Sequence, residues 1–440
     1  MTIMATRVSY DGFQPDVLVP VVTQIPEFRG KIKCAETDDI KNWDWATLQG
    51  ANWTEFGKVV EDATIHWPSS FHRPPRNPAK KINSKYKATE YFLLLFGLGP
   101  GLFRSFIPRR YWRHFCKLVR AVRILSTQRK ITAAQLLDAR YMAIQYVDEY
   151  EEIYYQRRVD RIHFCRPVLH TLIHTPLEAQ RVGPGTYTTQ FENERAIGDL
   201  GKEIRQPSNP FGNIAQIAAR MARKNALKLI YPELERIKPL PRGAYDVGNG
   251  YTFLTPRTQK ATTISGAAGR CILARLGKDS VEKYGRCSLP NGQVLRSMYA
   301  ESSLVKRAPG ITRNAKLKIN GKTEYGQVEF FFLHITGRNA ETGLDIKVPY
   351  ALVTLYSQPI ENIWEDSYKT CWACTKLPDE YQVVPITAVE ACVSMQPMVS
   401  MAGDPLNMFQ VVEKAGIDDM ILSGYSEIFE GDEQGGAGVA

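Results

Sequence analysis

The sequence contains no run of eighteen or more apolar residues, the length that an α-helix needs to cross a bilayer. Its most apolar stretch, residues 91–103, is interrupted by three glycines and a proline. The first residues also lack a basic region followed by an apolar core. We therefore expect neither a membrane contact nor a secretory signal.

Cysteine is sparse, with eight scattered residues in a chain of 440. A chain of this length buries a core without disulfides, so the pattern favours a reducing compartment, nuclear or cytoplasmic, and argues against secretion. Cys371 and Cys374 form a lone C-x-x-C pair without a second pair or a histidine cluster beside it. We interpret them as two small residues of a β-rich core, and we predict no metal site and no cofactor.

Acidic residues are absent between Gly101 and Lys130, a segment with nine lysines and arginines in a chain of net charge +10. Spacings of three and four place Arg113, Lys117 and Arg120 on one helix face, which is either solvated or binds phosphates. A second basic helix is predicted over 213–230. Together with residues beside Tyr154, these segments supply the candidate nucleic-acid-binding residues: Arg109, Arg110, Arg113, Lys117, Arg120, Arg123, Arg157, Arg158, Arg220, Arg223 and Lys224.

Helical periodicity dominates the first half of the chain. The clearest helix is predicted over 132–156, where Thr132 and Gln135 form a capping box. Further helices are predicted over 158–174, ending before Pro176, and over 193–204. His170 and His174 lie one turn apart, a spacing that would suit a metal only with a third ligand. We favour packed core histidines, because Leu169, Leu172 and Ile173 surround them in sequence.

After residue 239 the pattern changes towards alternation, with a hairpin signal at Asn320-Gly321. We predict an α+β fold: a mainly helical N-terminal half followed by a small antiparallel β-barrel-like C-terminal domain. Candidate strands cover 327–335, 346–356, 368–375, 382–385 and 408–412. The predicted divisions are an extended lead over 1–39, a helical region over 40–235, a linker with a short helix over 236–289, a β-rich domain over 290–420, and a disordered, acidic and glycine-rich tail over 421–440.

Several motifs resemble a known family. They include PRRYW at 108–112, YYQRR at 154–158, RIH at 161–163, the segment 170–174, and FENERAIG at 191–198, which fits an F-x-x-E-R-x-x-G pattern. In these residues the chain resembles CACTA-type (En/Spm-like) DNA transposases of fungal mobile elements. The resemblance implies that Glu194 is the helix-borne acid of a DDE site, where two aspartates complete a two-metal centre. By looser analogy it implies an SH3-like or BAH-like C-terminal barrel.

The two aspartates that such a site requires should lie upstream on strands, but only about forty residues precede the matched region. Asp11, Asp16, Asp38 and Asp39 are present there, and none ends a run of β-branched residues. We therefore expect the C-terminal part of a transposase, associated with DNA nonspecifically and without nuclease activity, with Mg²⁺ bound only within a complete transposase.

Two alternatives remain open. In one, the C-terminal domain is an interaction module for a protein or chromatin partner. In the other, a partner supplies the missing aspartates to an active nuclease.

Overall fold

The computed structural model describes Asp38 and most residues from Trp43 to Lys414. Inside that span it leaves out residues 72, 84–85, 128–129, 189–196, 199, 203–208, 232, 234–238, 303–309, 339–342 and 344. The predicted lead, apart from Asp38, and the predicted acidic tail therefore lie outside the description, as does most of the predicted helix over 193–204.

The first half of the described chain is helical, as predicted. Its α-helices are Gly50–Asp62, Pro78–Lys81, Ala88–Phe92, Gly99–Leu102, Arg109–Thr127, Ala133–Tyr150, Pro167–Val182, Gly185–Thr188 and Pro210–Ile230. Short 3₁₀ turns occupy Ala63–His66, Phe103–Ser105 and Val159–Phe164, and π-helical turns occupy Leu93–Leu98 and Glu151–Tyr155.

The capping box at Thr132 is confirmed. The Thr132 side chain accepts a hydrogen bond from the Gln135 backbone, and the Gln135 side chain accepts one from the Thr132 backbone at 2.9 Å. The helix that starts there continues through the π-helical turn and stops at Gln156, which adopts a left-handed conformation. This end point matches the predicted boundary.

The next predicted helix is wrong at both ends. Residues Val159–Phe164 form a 3₁₀ turn, and the α-helix begins only at Pro167. It then passes through Pro176 and ends at Val182. Proline removes one backbone donor from a helix, and here the buried Pro176 ring compensates through packing rather than ending the helix.

The second half is built on an antiparallel sheet, in agreement with the predicted α+β class. Its strands are β1 (Tyr245–Gly248), β2 (Tyr251–Arg257), β3 (Thr262–Thr263), β4 (Ser280–Ser288), β5 (Val294–Arg296), β6 (Asn314–Ile319), β7 (Lys322–Arg338), β8 (Asp345–Tyr356), β9 (Ala373–Pro385), β10 (Val389–Pro397) and β11 (Met408–Glu413). Helices Gly266–Leu276, Met298–Ser302 and Glu361–Asp366 and a 3₁₀ turn at Ile386–Ala388 lie between strands.

The strands follow the order β1-β2-β4-β7-β6-β10-β11-β9-β8, and β8 pairs back onto β7. The predicted hairpin joins β6 to β7, with Asn320 and Gly321 both at positive φ between the paired residues Ile319 and Lys322. A two-residue turn of this kind matches the twist of its strands.

Two predicted assignments are corrected in this half. The segment 236–289 is more than a linker with a short helix, because β1, β2, β3 and β4 belong to the sheet and Phe253 is fully buried in its core. The predicted short helix is present as Gly266–Leu276, but β4 has nine residues and pairs with β7, about fifty residues downstream. The predicted strand over 368–375 begins only at Ala373, since Tyr368 and Lys369 have positive φ.

The helical and β-rich regions share a hydrophobic core. Phe56, Leu98 and Trp112 from the helices cluster with Ile363 and Met408 from the sheet region. A forked ion pair between Arg104 and Asp404, 2.6 and 2.9 Å long, also joins the two regions. The predicted division near residue 235 therefore does not separate two independent cores. Among the described residues, no helix combines the length and the apolar character that a membrane span requires.

A buried ion pair in the helical region makes stability depend on pH. Arg76 donates to Glu90 through Nε at 2.7 Å and Nη2 at 2.8 Å, and two backbone N–H groups also point at this carboxylate. Hydrogen bonding from Arg76 lowers the pKa of Glu90 from 4.5 to about 2. Since the folded pKa is depressed, the stabilisation is complete above pH 4.5 and is lost as the pH falls towards 2.

We therefore expect Glu90→Gln to lower the free energy of unfolding at pH 7 by about 1–3 kcal/mol. The variant should also show a flatter fall in stability between pH 4.5 and 2. Urea unfolding followed by tryptophan fluorescence measures both effects. Glu61→Gln is the control, because the Glu61–Lys80 pair is exposed and should add little. Equal behaviour of the two variants would contradict the assignment.

Candidate nucleic-acid interface

The basic segment of the sequence forms the helix Arg109–Thr127, and its central lysine is buried. Lys117 is 4% exposed, its ammonium donates to Glu149, and it lies 5.1 Å from the Tyr368 ring. A side chain enclosed in this way cannot reach a phosphate on the surface. The prediction that Lys117 binds nucleic acid is therefore corrected.

Arg123 is also directed inwards. Its guanidinium donates to the backbone carbonyls of Phe96 at 2.7 Å, Gly97 at 3.2 Å and Thr370 at 2.6 Å. Burial lowers the pKa of this guanidinium, although arginine side chains in proteins stay protonated. Arg123 thus joins the helical region to the segment before β9, and its predicted role as a DNA contact is corrected as well.

The remaining cations of this helix are largely neutralised from elsewhere in the chain. Arg109 donates to Asp366 at 2.8 Å, Arg113 lies 3.8 Å from the same carboxylate, and Arg120 pairs with Asp138 at 2.7 Å. The partner acids come from other helices, so counting charges along the segment misses them. The helix is consequently a weaker polyanion surface than its sequence predicts.

Arg110 is the exposed exception, and it borders a cleft of ≈ 480 Å³ together with Arg109, Arg113 and His114. Glu149 and Glu152 line the same cleft, so its charge is mixed. Burial lowers the pKa of His114, whose Nε2 lies 2.8 Å from the Tyr146 carbonyl, and the imidazole is therefore neutral at pH 7.

Arg157 and Arg158 follow the end of the long helix at Gln156. Arg158 pairs with Asp160 at 2.5 Å and lies 3.9 Å from Asp38, while Arg157 lies 3.9 Å from Glu151. Both keep a large exposed fraction, 52% for Arg157 and 40% for Arg158. They remain accessible at the surface, although an acid lies close to each.

The helix Pro210–Ile230, called the basic helix below, differs from the helix Arg109–Thr127 in the exposure of its cations. Asn209 caps it by accepting from the Gly212 N–H at 3.2 Å, and proline occupies its first turn. The helix contains no buried residue. Arg220, Arg223 and Lys224 are exposed, and in the described part of the chain none of the three has an ion-pair partner.

Helical geometry places the three cations of the basic helix close together around its axis. At 100° per residue, Arg220, Arg223 and Lys224 fall within an arc of about 100°. Ile214 and Met221 lie outside this arc, about 60–80° beyond Lys224, and Met221 is 42% exposed. The predicted cationic face is thus present and unneutralised within the described residues, and the sequence spacing alone was sufficient to find it.

Glu194 lies outside the described residues, so its role as a helix-borne metal ligand stays a prediction. Within the described ranges, no group of three His, Cys, Asp or Glu side chains is arranged to hold a metal ion. Cys371 and Cys374 are fully buried, and burial raises the pKa of each thiol to about 12. Their interpretation as core residues is confirmed.

The two neighbouring histidines are not core residues. His170 is half-buried and His174 exposed on the helix Pro167–Val182, where Ile173 and Pro176 face inwards. The Nε2 atoms of the two imidazoles lie 3.1 Å apart. The apolar neighbours in sequence point to the opposite side of the helix, which is why the predicted burial was wrong.

Comparisons of this chain with protein-family models, curated proteins and solved structures found no match.

Proposed function

We propose that this chain is a transposase-derived, DNA-associated protein that contacts duplex DNA through the basic helix. The observation that carries the proposal is the set of three exposed cations, Arg220, Arg223 and Lys224, on one face of a helix without buried residues. The resemblance of residues 108–112, 154–158 and 191–198 to CACTA-type transposases supports the same partner. The net charge of +10 acts in the same direction.

The binding mode that fits these residues is electrostatic and nonspecific. Each cation that neutralises a phosphate releases a condensed counterion, so affinity falls steeply as salt rises. Three neighbouring charges on one face can follow a phosphate backbone, while base reading would require polar side chains that enter a groove. Arg110, Arg157 and Arg158 provide secondary contacts, weakened by the acids beside them.

By resemblance Glu194 is one acid of a DDE site, and a single carboxylate does not position two metal ions, so we propose that this chain has no nuclease activity of its own. A nuclear or cytoplasmic site in a reducing environment fits the seven free cysteines of the described residues. In the alternative, a partner protein supplies the two aspartates, which would bind Mg²⁺ together with Glu194. Cleavage that depends on such a partner and disappears in Glu194→Gln would favour that alternative.

We further propose that the cyclic pairing of β6, β7, β8, β9, β10 and β11 is a small barrel of the SH3-like or BAH-like kind. A second candidate function follows from it, namely recognition of a protein or chromatin partner. The observation that favours this function is a cleft on the sheet, lined by acidic and aromatic side chains.

Salt-dependent binding to DNA tests the main proposal. The full chain is titrated into a fluorescently labelled duplex of about 30 base pairs, and binding is measured by fluorescence anisotropy. The titration is repeated at several salt concentrations between roughly 50 and 200 mM. We expect the plot of log affinity against log salt concentration to fall with a slope of about −3 or steeper, and two unrelated sequences to bind alike. Absence of binding at the lowest salt would overturn the proposal.

A further inference from the structure

A cleft of ≈ 600 Å³ opens on the sheet where β7, β8, β9 and β11 come together beside the helix Met298–Ser302. Glu329 and Asp379 supply its negative charge, and Lys376 is the one cation among its lining residues. Tyr381, Phe409 and Met298 supply apolar surface. The sequence analysis did not identify this site, because its residues come from strands distant in sequence.

Glu329 is held in position from two sides. Its Oε1 accepts a hydrogen bond from the Thr354 hydroxyl at 2.8 Å and another from the Gln327 amide at 2.9 Å. The half-buried carboxylate is therefore fixed before any ligand arrives. Fixing an acceptor in advance lowers the ordering cost of binding.

The charge of Glu329 is not neutralised by the nearest guanidinium. Arg313 donates to the other end of the Gln327 amide at 3.0 Å and is paired with Glu301 at 2.8 Å. Within the described part of the chain, neither Glu329 nor Asp379 has an ion-pair partner. A partly desolvated carboxylate without a counter-charge favours a cationic ligand.

The walls of the cleft fit a cation carried on an aliphatic chain. The Tyr381 ring lies close to both acids, and its pKa is raised by burial and by Glu329 and Asp379. An aromatic face attracts an ammonium group, and apolar neighbours such as Met298 cover methylene groups. The lining thus combines a fixed anion with surface for an alkyl stem.

We infer that this cleft binds the side-chain ammonium of a lysine presented by a partner protein, with Glu329 as the main anion. The inference rests on the second candidate function and is independent of the basic helix. DNA binding can therefore fail without affecting this site, and the reverse also holds.

The test uses the full chain with ¹³C-methyl methionine, because Met298 reports directly from the wall of the cleft. The probe is the blocked pentapeptide Gly-Gly-Lys-Gly-Gly, and the comparison is the same peptide with its lysine acetylated. We expect the unmodified peptide to shift the Met298 methyl resonance and the acetylated peptide to bind at least about tenfold more weakly. Equal shifts from both peptides would overturn the inference.

Two variants distinguish the effect of the Glu329 charge on binding from the effect of the shape of the cleft. Glu329→Gln is isosteric and can still accept from Thr354, so it should fold normally and lose about tenfold in peptide affinity. Lys376→Gln removes the one competing cation and should tighten binding. If Glu329→Gln keeps both the peptide affinity and the methyl spectrum of the parent protein, Glu329 is not the main anion. If n-butylammonium binds as tightly as the peptide, the ligand is not a lysine of a partner protein.

Discussion

Replacing Arg220, Arg223 and Lys224 together by glutamine should weaken binding of the full chain to duplex DNA by about a hundredfold near 0.1 M salt. The slope of log affinity against log salt should become shallower by about three units, one for each phosphate contact that is lost. Fluorescence anisotropy at several salt concentrations measures both quantities. The helix contains no buried residue, so the substitutions should leave the fold intact.

The matched control removes three positive charges from a different helix. Arg270, Arg275 and Lys278 are exposed on or next to the helix Gly266–Leu276, and their triple glutamine variant also lowers the net charge by three. We expect that variant to keep most of the affinity. If both triple variants lose affinity equally, only overall charge matters, and the basic helix is not the interface.

For the helix Arg109–Thr127 we expect a smaller contribution to DNA binding than its sequence predicts. Lys117 is enclosed against Glu149 and Tyr368, so replacing it affects stability before it affects DNA binding. The sequence showed cations without acids because Asp138, Glu149 and Asp366 approach from other elements. Local charge patterns predict a surface only where no distant partner arrives, and in the described chain the basic helix meets that condition.

The fold was predictable where local signals decide it. The capping box at Thr132 and the turn at Asn320-Gly321 each involve residues within a few positions, and both appear as expected. Strands β3 and β4 were missed, because β4 is stabilised by pairing with β2 and β7, which are distant in sequence. The cleft on the sheet was unpredictable for the same reason, since Glu329, Tyr381 and Phe409 meet only in the folded sheet.

Substitution of Arg123 should have the largest effect on stability, because its guanidinium donates hydrogen bonds to three backbone carbonyls. The carbonyls of Phe96 and Gly97 belong to a π-helical turn and the carbonyl of Thr370 to a loop. The Gly97 carbonyl also accepts from the Gln410 amide at 3.1 Å. Removing the cation takes these donors away, which costs about 1–3 kcal/mol for each partly buried carbonyl that is left without a donor.

Arg123→Ala should therefore lower the free energy of unfolding by about 3–5 kcal/mol, since it removes three partly buried hydrogen bonds together. Arg123→Lys restores one donor and should recover part of this loss. Arg120→Ala, one turn earlier in sequence, is the control: its partly exposed pair with Asp138 should contribute less than about 1 kcal/mol. Urea unfolding of the three variants decides the matter, and a loss below about 1 kcal/mol for Arg123→Ala would show that water satisfies these carbonyls and that Arg123 does not join the helices to the sheet.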